Sequence, residues 1–209
     1  MQRPTGAQGG PAAEVVQKFL GSLRDLHVEP HVVKDEAETT EALRAILSKA
    51  GSKSVVVAGI PPRYAGAVKA ALAGLKVDYV EDLQGRPPRE AVAVLAAADT
   101  GVTWAVNGVA LEGALLEVVY DDSAKLASSL PIVHIALLES SSILRELVEA
   151  LPMVGELVKA APPSRKPIVS FISGPSKTGD IEMRLLYGVH GPHTIHAIIL
   201  DWQKEAGER

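Results

Sequence analysis

A layered α/β fold with a mostly parallel sheet is what the sequence predicts, on three observations. Strand-like and helix-like patterns alternate along most of the 209 residues, the order that builds parallel sheets. The run Ser54-Val55-Val56-Val57-Ala58 lies between Gly51 and Gly59 and reads as a strand buried on both faces. The composition, 47% hydrophobic with only 4% aromatic and 22% charged, is that of a globular core built on small and branched aliphatics. One domain of this length buries roughly 70% of its unfolded surface and needs no disulfide or structural metal to fold.

Residues 1–11 carry three glycines and two prolines with almost nothing large to bury, and are expected to form a flexible tail ahead of a single domain over 12–209. Val15, Val16, Phe19, Leu20 and Leu23 share one helical face that ends near His27, before a break at Pro30. A short strand follows over His31 to Lys34. Asp35 then serves as N-cap of a helix with Glu36 and Glu38 in its first turn and Gly51 as its stop. After the Ser54–Ala58 strand come a helix over Ala65 to Ala73, a strand over Val77 to Val80, and a helix opened by Pro88 that runs through Ala98. Asn107-Gly108 predicts a tight hairpin turn. The remaining strands are expected over Leu115 to Tyr120, Ile132 to Leu138, Ile168 to Ile172 and Ile195 to Leu200, with helical segments over Ile143 to Lys159 interrupted at Pro152.

Composition also excludes functions. Lys and Arg number 21 against 25 Asp and Glu, so the basic stripe that nucleic acid requires is missing. The chain contains no cysteine, which removes thiolate chemistry, Cys-ligated zinc and Cys-held iron–sulfur clusters. No run is long enough for a membrane span, and the N-terminus lacks the apolar core of a signal peptide. The expectation is a cytoplasmic protein with no cofactor and no resident metal. The Gly51-Ser52-Lys53-Ser54 stretch is not a P-loop, because a helix precedes it and a strand follows. Of the six histidines, His27 and His31 read as structural and His196 as a half-buried strand residue. His134, in the middle of an apolar strand, reads equally well as a ligand-binding group.

Polar groups concentrate in Ser173-Gly174-Pro175-Ser176-Lys177-Thr178-Gly179-Asp180-Ile181-Glu182, followed by Gly188-Val189-His190-Gly191-Pro192. The backbone N–H groups of Gly174, Ser176 and Lys177, with the Ser176 and Thr178 hydroxyls, suit a carboxylate or phosphate oxygen. Asp180 to Gly188 fits either a strand, by its alternation, or a helix with Asp180 as cap, and the strand-loop-helix order favours the helix. Asp180, Glu182 and His190 are the candidate acid, base or nucleophile. Because sites of parallel sheets collect at the carboxyl ends of strands, that end is where this site is expected.

The run GPSKTGDIE with GVHGP closely resembles the signature of LUD-domain proteins, specifically the lactate utilization protein C (LutC) family. Ala98-Asp99-Thr100-Gly101-Val102-Thr103-Trp104-Ala105 is similar to that family's D-x-G-I-T-x-A segment, and Ser129-Leu130-Pro131 with His134-Ile135 resembles its SLP-x-x-HI. A departure lies at Ala110-Leu111-Glu112-Gly113-Ala114, where the family's AETGT has its acid one place earlier and carries two threonines. Glu112 is therefore retained as a ligand-site candidate that faces away from the family position.

The resemblance implies a three-layer α/β/α fold like that of the NagB/RpiA/CoA-transferase group. It implies a component of L-lactate oxidation to pyruvate that works with iron–sulfur partner proteins as an accessory or substrate-handling subunit. The Gly174 to Asp180 loop would then hold a small carboxylate, with Lys177 countering its charge and His190 near the hydroxyl. The alternative is a stand-alone enzyme on a sugar phosphate or acyl-CoA, using Asp180 or Glu182 with His190. A third gives those three groups to a divalent metal. A homodimer is suggested by fold analogy alone.

Overall fold

A computed structural model of the chain describes residues 11–161, 166–175, 177–179, 185–187 and 191–202. In chain order the elements are α1 (Pro11–Asp25), β1 (Val28–Val33), α2 (Glu36–Ala50), β2 (Ser54–Ala58), α3 (Ala65–Ala71), β3 (Lys76–Tyr79), α4 (Pro88–Ala96), β4 (Thr100–Trp104), β5 (Asn107–Val109), β6 (Ala114–Val119), α5 (Asp122–Ala127), β7 (Val133–Glu139), β8 (Ile143–Leu144), α6 (Leu147–Ala160), β9 (Ile168–Ile172), β10 (Lys177–Gly179), β11 (Leu185–Tyr187) and β12 (Thr194–Leu200). Short 3₁₀ turns cover Pro62–Tyr64, Val80–Leu83 and Ser140–Ser142.

Six strands form one sheet in the order β1-β12-β7-β4-β2-β3, and every pairing in it is parallel. Among its interior strands, β2 and the run Ile195–Leu200 of β12 are buried almost throughout, as two covered faces require. On one face α2 and α3 pack through Leu43, Ile46, Leu47 and Val68 against Val57, Val102, Ile135 and Ile198. The other face is shared. Phe19, Leu20 and Leu23 of α1 meet Leu115 of β6 and the alternate residues Ala136, Leu138, Ala197 and Ile199, while α4 and α5 cover β2. A second sheet, β8-β5-β6-β9, belongs to this layer, and β10 pairs with β11 as a separate antiparallel hairpin. The result is the three-layer α/β arrangement around a parallel sheet.

The helix signals hold where they are local. The Asp35 carboxylate accepts from the Glu38 N–H at 2.7 Å, and Gly51 closes α2 at φ +66° with its N–H on the carbonyls of Leu47 and Ser48. Pro30 does not break the chain: it sits inside β1, an edge strand paired only with β12, where a missing N–H is tolerated. Asn107-Gly108 is not a turn. Both residues lie within β5, and the connection to β6 runs through Ala110 to Gly113, because the Phe19 ring occupies the space above Gly108 and a Cβ there would lie 2.6 Å from it. Pro152 lies inside a continuous α6 whose Val148, Leu151 and Val158 are exposed, so solvent can satisfy the freed carbonyl.

Candidate functional site

Three strands of the shared layer and the main sheet each bring one polar side chain to a common point. Thr103 comes from β4, Glu117 from β6 and His134 from β7, and all three are buried, with His134 fully enclosed. Glu117 interrupts the apolar run Leu115–Val119 and cannot stay charged there without partners. Its partners are close. The Thr103 hydroxyl donates to Glu117 Oε1, His134 Nε2 lies 2.7 Å from that same hydroxyl, and His134 Nε2 stands 3.3 Å from Glu117 Oε1.

Burial pushes the Glu117 carboxyl up, but the hydrogen bond and charge of His134, then Thr103 and Ser128, outweigh it and hold the group below its ordinary value of 4.5. With Nε2 committed to the threonine and the carboxylate, His134 Nδ1 is buried with no partner among the described residues. That nitrogen is a lone-pair acceptor on a neutral ring and an N–H donor on a charged one. The trio is thus a buried carboxylate–hydroxyl–imidazole set with one ring nitrogen unpartnered among the described residues.

Gly101 explains how α5 comes down over this point. It is the register neighbour of His134, and a Cβ on it would lie 1.9 Å from the Ala127 carbonyl oxygen. The close approach brings the end of α5, with Ser128, beside the pair, and a hydrogen bond from that hydroxyl favours the charged form of Glu117. Next to it opens a cleft of about 240 Å³ lined by Lys125, Ser128, Ser170, Ser173, Gly174 and Gly191, among others. Ser170 faces Glu117 across the β6–β9 pairing, and the cleft residue Ile195 faces His134 across β7–β12. Hydroxyls, one ammonium and two glycines therefore border an opening beside a buried carboxylate and imidazole.

The cleft stands at the amino ends of β4, β7 and β12 of the main sheet and at the carboxyl end of β9, where the site was expected. At the carboxyl ends of the main sheet lies a satisfied aromatic cluster instead. Tyr64 stacks on Trp104 with ring centroids 5.4 Å apart and meets Trp202 edge-on, and its hydroxyl donates to Glu139 at 2.6 Å. Arg63 pairs with the same carboxylate. Burial first, then Glu139, pushes the Tyr64 hydroxyl up to about 12, so this group stays protonated and holds the C-terminal strand in place.

Of the residues expected to act, His134 is in the trio and Gly174 lines the cleft, at φ +88° and so close to Leu26 that a Cβ on it would lie 2.6 Å from the Leu26 carbonyl oxygen. Glu112 sits on the β5–β6 connection. Its Oε1 accepts from the Leu147 N–H at 3.4 Å, at the start of α6, and its carbonyl accepts from Ser173 Oγ at 3.2 Å, so its carboxylate turns to a helix end while its backbone ties the cleft's rim. Lys177 and Thr178 belong to β10, not to a loop, and their side chains lie outside the described part. Leu185–Tyr187 is a strand paired with them, which corrects the helix expected over that stretch: the alternation that Leu185 and Tyr187 share prevailed there. Ser176, Asp180, Glu182 and His190 lie outside the described residues.

Sequence reasoning missed Glu117, Thr103 as its partner, and Lys125. A lone carboxylate inside Leu115-Leu116-Glu117-Val118-Val119 was the available signal, since a charge on a buried strand requires a partner. Asp99, in the family-like segment, has a structural task. It accepts from the N–H groups of Lys53 and Ser54 and from Ser54 Oγ, bonds that hold its carboxyl below the ordinary range. Among the described residues one set of three could hold a metal ion, Glu29, His31 and His196, on the opposite face of the main sheet.

Comparison with known proteins agrees with this architecture. Residues 16–200 match the model of the LUD domain. Lactate utilization protein C of Anoxybacillus flavithermus is 31% identical over 162 residues, which is 77% of this chain and 69% of that protein. Lactate utilization protein C 1 of Bacillus mycoides is 38% identical over 109 residues, 51% of this chain and 45% of that protein. The chain thus spans less than half of the second relative. A DUF162-family protein from Deinococcus radiodurans has the same fold, with a TM-score of 0.65 at 22% identity over 92% of this chain and 99% of that one.

Proposed function

The chain belongs to the LUD-domain family, and on that premise we propose that it is a component of L-lactate utilization whose cleft handles a small carboxylate. The observation that carries the reading is the cleft itself: Lys125 and serine hydroxyls at its wall, beside a buried Glu117–His134 pair with Nδ1 free. A hydroxy or keto acid needs a cation and donors for its carboxylate. It also needs one group able to take or give the proton of its hydroxyl. Lys125 and the Ser170 hydroxyl fit the first task, and His134 Nδ1, oriented by Glu117 and Thr103 through Nε2, fits the second.

Oxidation of lactate to pyruvate also removes two electrons. A chain without cysteine has no cluster of its own to receive them. We therefore assign electron transfer to iron–sulfur partner proteins and substrate handling to this chain. Relatives named lactate utilization protein C support the lactate-utilization part of this reading. Calorimetric titration with L-lactate and pyruvate tests it: saturable binding that weakens at least tenfold in Lys125→Met is expected, and equal binding by the variant would refute the assignment of the cleft. A second reading, a stand-alone transferase or isomerase acting on an acyl-CoA or sugar phosphate, is favoured by the buried carboxylate, which suits a nucleophile or base. It requires turnover by the purified chain alone, whereas the first reading requires lactate oxidation only with the partners added.

A further inference from the structure

On the face of the main sheet opposite the cleft, Glu29 and His31 project from the edge strand β1 and His196 from its neighbour β12. Glu29 is directly opposite His196 in the pairing, and His31 is two residues farther along the same face. The two histidines are 165 positions apart in sequence, so no spacing motif announces them. We propose that Glu29, His31 and His196 form a binding site for a divalent transition-metal ion of the Zn²⁺ type, separate from the carboxylate cleft.

Geometry carries the assignment. His31 Nε2 and His196 Nδ1 are 3.2 Å apart, His196 Nδ1 and Glu29 Oε2 are 3.5 Å apart, and all three ligand atoms lie within 4.8 Å of one another. A tetrahedral ion with bonds of 2.0–2.2 Å requires ligand-to-ligand edges of about 3.3–3.5 Å. Two of the three edges are already near that length, and the third closes by rotation of Glu29, whose side chain is half-exposed. Two imidazoles and one carboxylate are a donor set that zinc accepts while keeping a fourth position open. That position has room: a cavity of about 300 Å³, lined by Glu29, Lys49, Thr194 and His196 among others, adjoins the cluster.

His196 is buried and fixed by its strand, while His31 is half-buried, so two of the ligands are preorganised. Lys49 Nζ stands 3.5 Å from Glu29 Oε2 as the charge that a bound cation would replace. Its side chain is largely exposed and can swing away.

The test uses the full chain without an affinity tag, stripped with chelator and titrated with Zn²⁺ by calorimetry and with Co²⁺ by visible absorption. One ion per chain and the intense visible bands of tetrahedral Co²⁺ are expected. His31→Ala and Glu29→Gln should each weaken binding by about tenfold or more, since even outer partners of metal ligands cost 10–100-fold. Lys49→Met should tighten it by removing the competing cation, and His193→Ala should leave it unchanged. Should His196→Ala fail to fold, the His31 and Glu29 variants decide the matter. Failure to bind either ion, or binding as tight in both of those variants as in the parent chain, overturns the proposal. Neither result bears on the cleft, whose residues lie across the sheet.

Discussion

At the scale of single residues, the buried trio sets both stability and chemistry. Glu117 is held below its ordinary value of 4.5 in the folded chain, so as pH falls the unfolded chain binds the proton first. Its contribution is therefore complete above about pH 4.5 and is lost as pH drops through the folded value. The melting-temperature gap between the parent and Glu117→Gln should be widest near neutrality and should narrow below that pH; a gap constant from pH 7 to pH 3 would contradict the assigned pairing. His134→Ala leaves a carboxylate buried without its imidazole and should cost about 3–5 kcal/mol by chemical denaturation. The double variant should lose less than the sum of the two singles, because they share one interaction. His134 was legible only as an open question from its strand. Glu117 stands out locally as a lone carboxylate in an apolar run, but that its partner is His134 depends on β6 lying over β7, which no local pattern encodes.

Elements obey local signals where neighbours do not interfere. Asp35 and Gly51 specify both ends of α2, and Asp35→Ala should lower stability by about 1 kcal/mol, read by thermal melting. The departures have tertiary causes. Asn107-Gly108 carries the dipeptide of a tight turn, yet Phe19 of α1 and Leu138 of β7 press on Gly108, and the chain needs that absent side chain inside a strand. Pro30 looked like a break because a sequence does not say which strand is at an edge. Gly101 is the clearest junction of element packing with the site. Gly101→Ala would drive a methyl to 1.9 Å from the Ala127 carbonyl and must displace α5. A stability loss of about 1–3 kcal/mol is expected together with weaker binding of pyruvate, since Ser128 and Lys125 move with the helix; unchanged stability and binding would disprove that role for α5.

For the molecule as a whole, the alternation of strands and helices made the layered parallel fold readable, and the apolar run at 54–58 identified one strand of the sheet's interior. The side of the sheet that carries the cleft was not readable. The rule that sites gather at carboxyl ends pointed to the loop after β9, which does border the cleft, whereas relative to the main sheet the second sheet and α5 build this opening at the amino ends of β4, β7 and β12. The segment singled out by its glycines and hydroxyls does reach that opening, through Ser173, Gly174 and Gly191. Among the described residues no helix is long and apolar enough to cross a membrane. The central claim is that a small carboxylate binds beside Thr103, Glu117 and His134. Nitrogen-detected NMR of the ¹⁵N-labelled imidazoles during addition of pyruvate tests it most directly. Binding in the cleft predicts a saturable shift at His134 Nδ1 that is lost in Lys125→Met; a His134 Nδ1 signal unmoved at saturating pyruvate would contradict it.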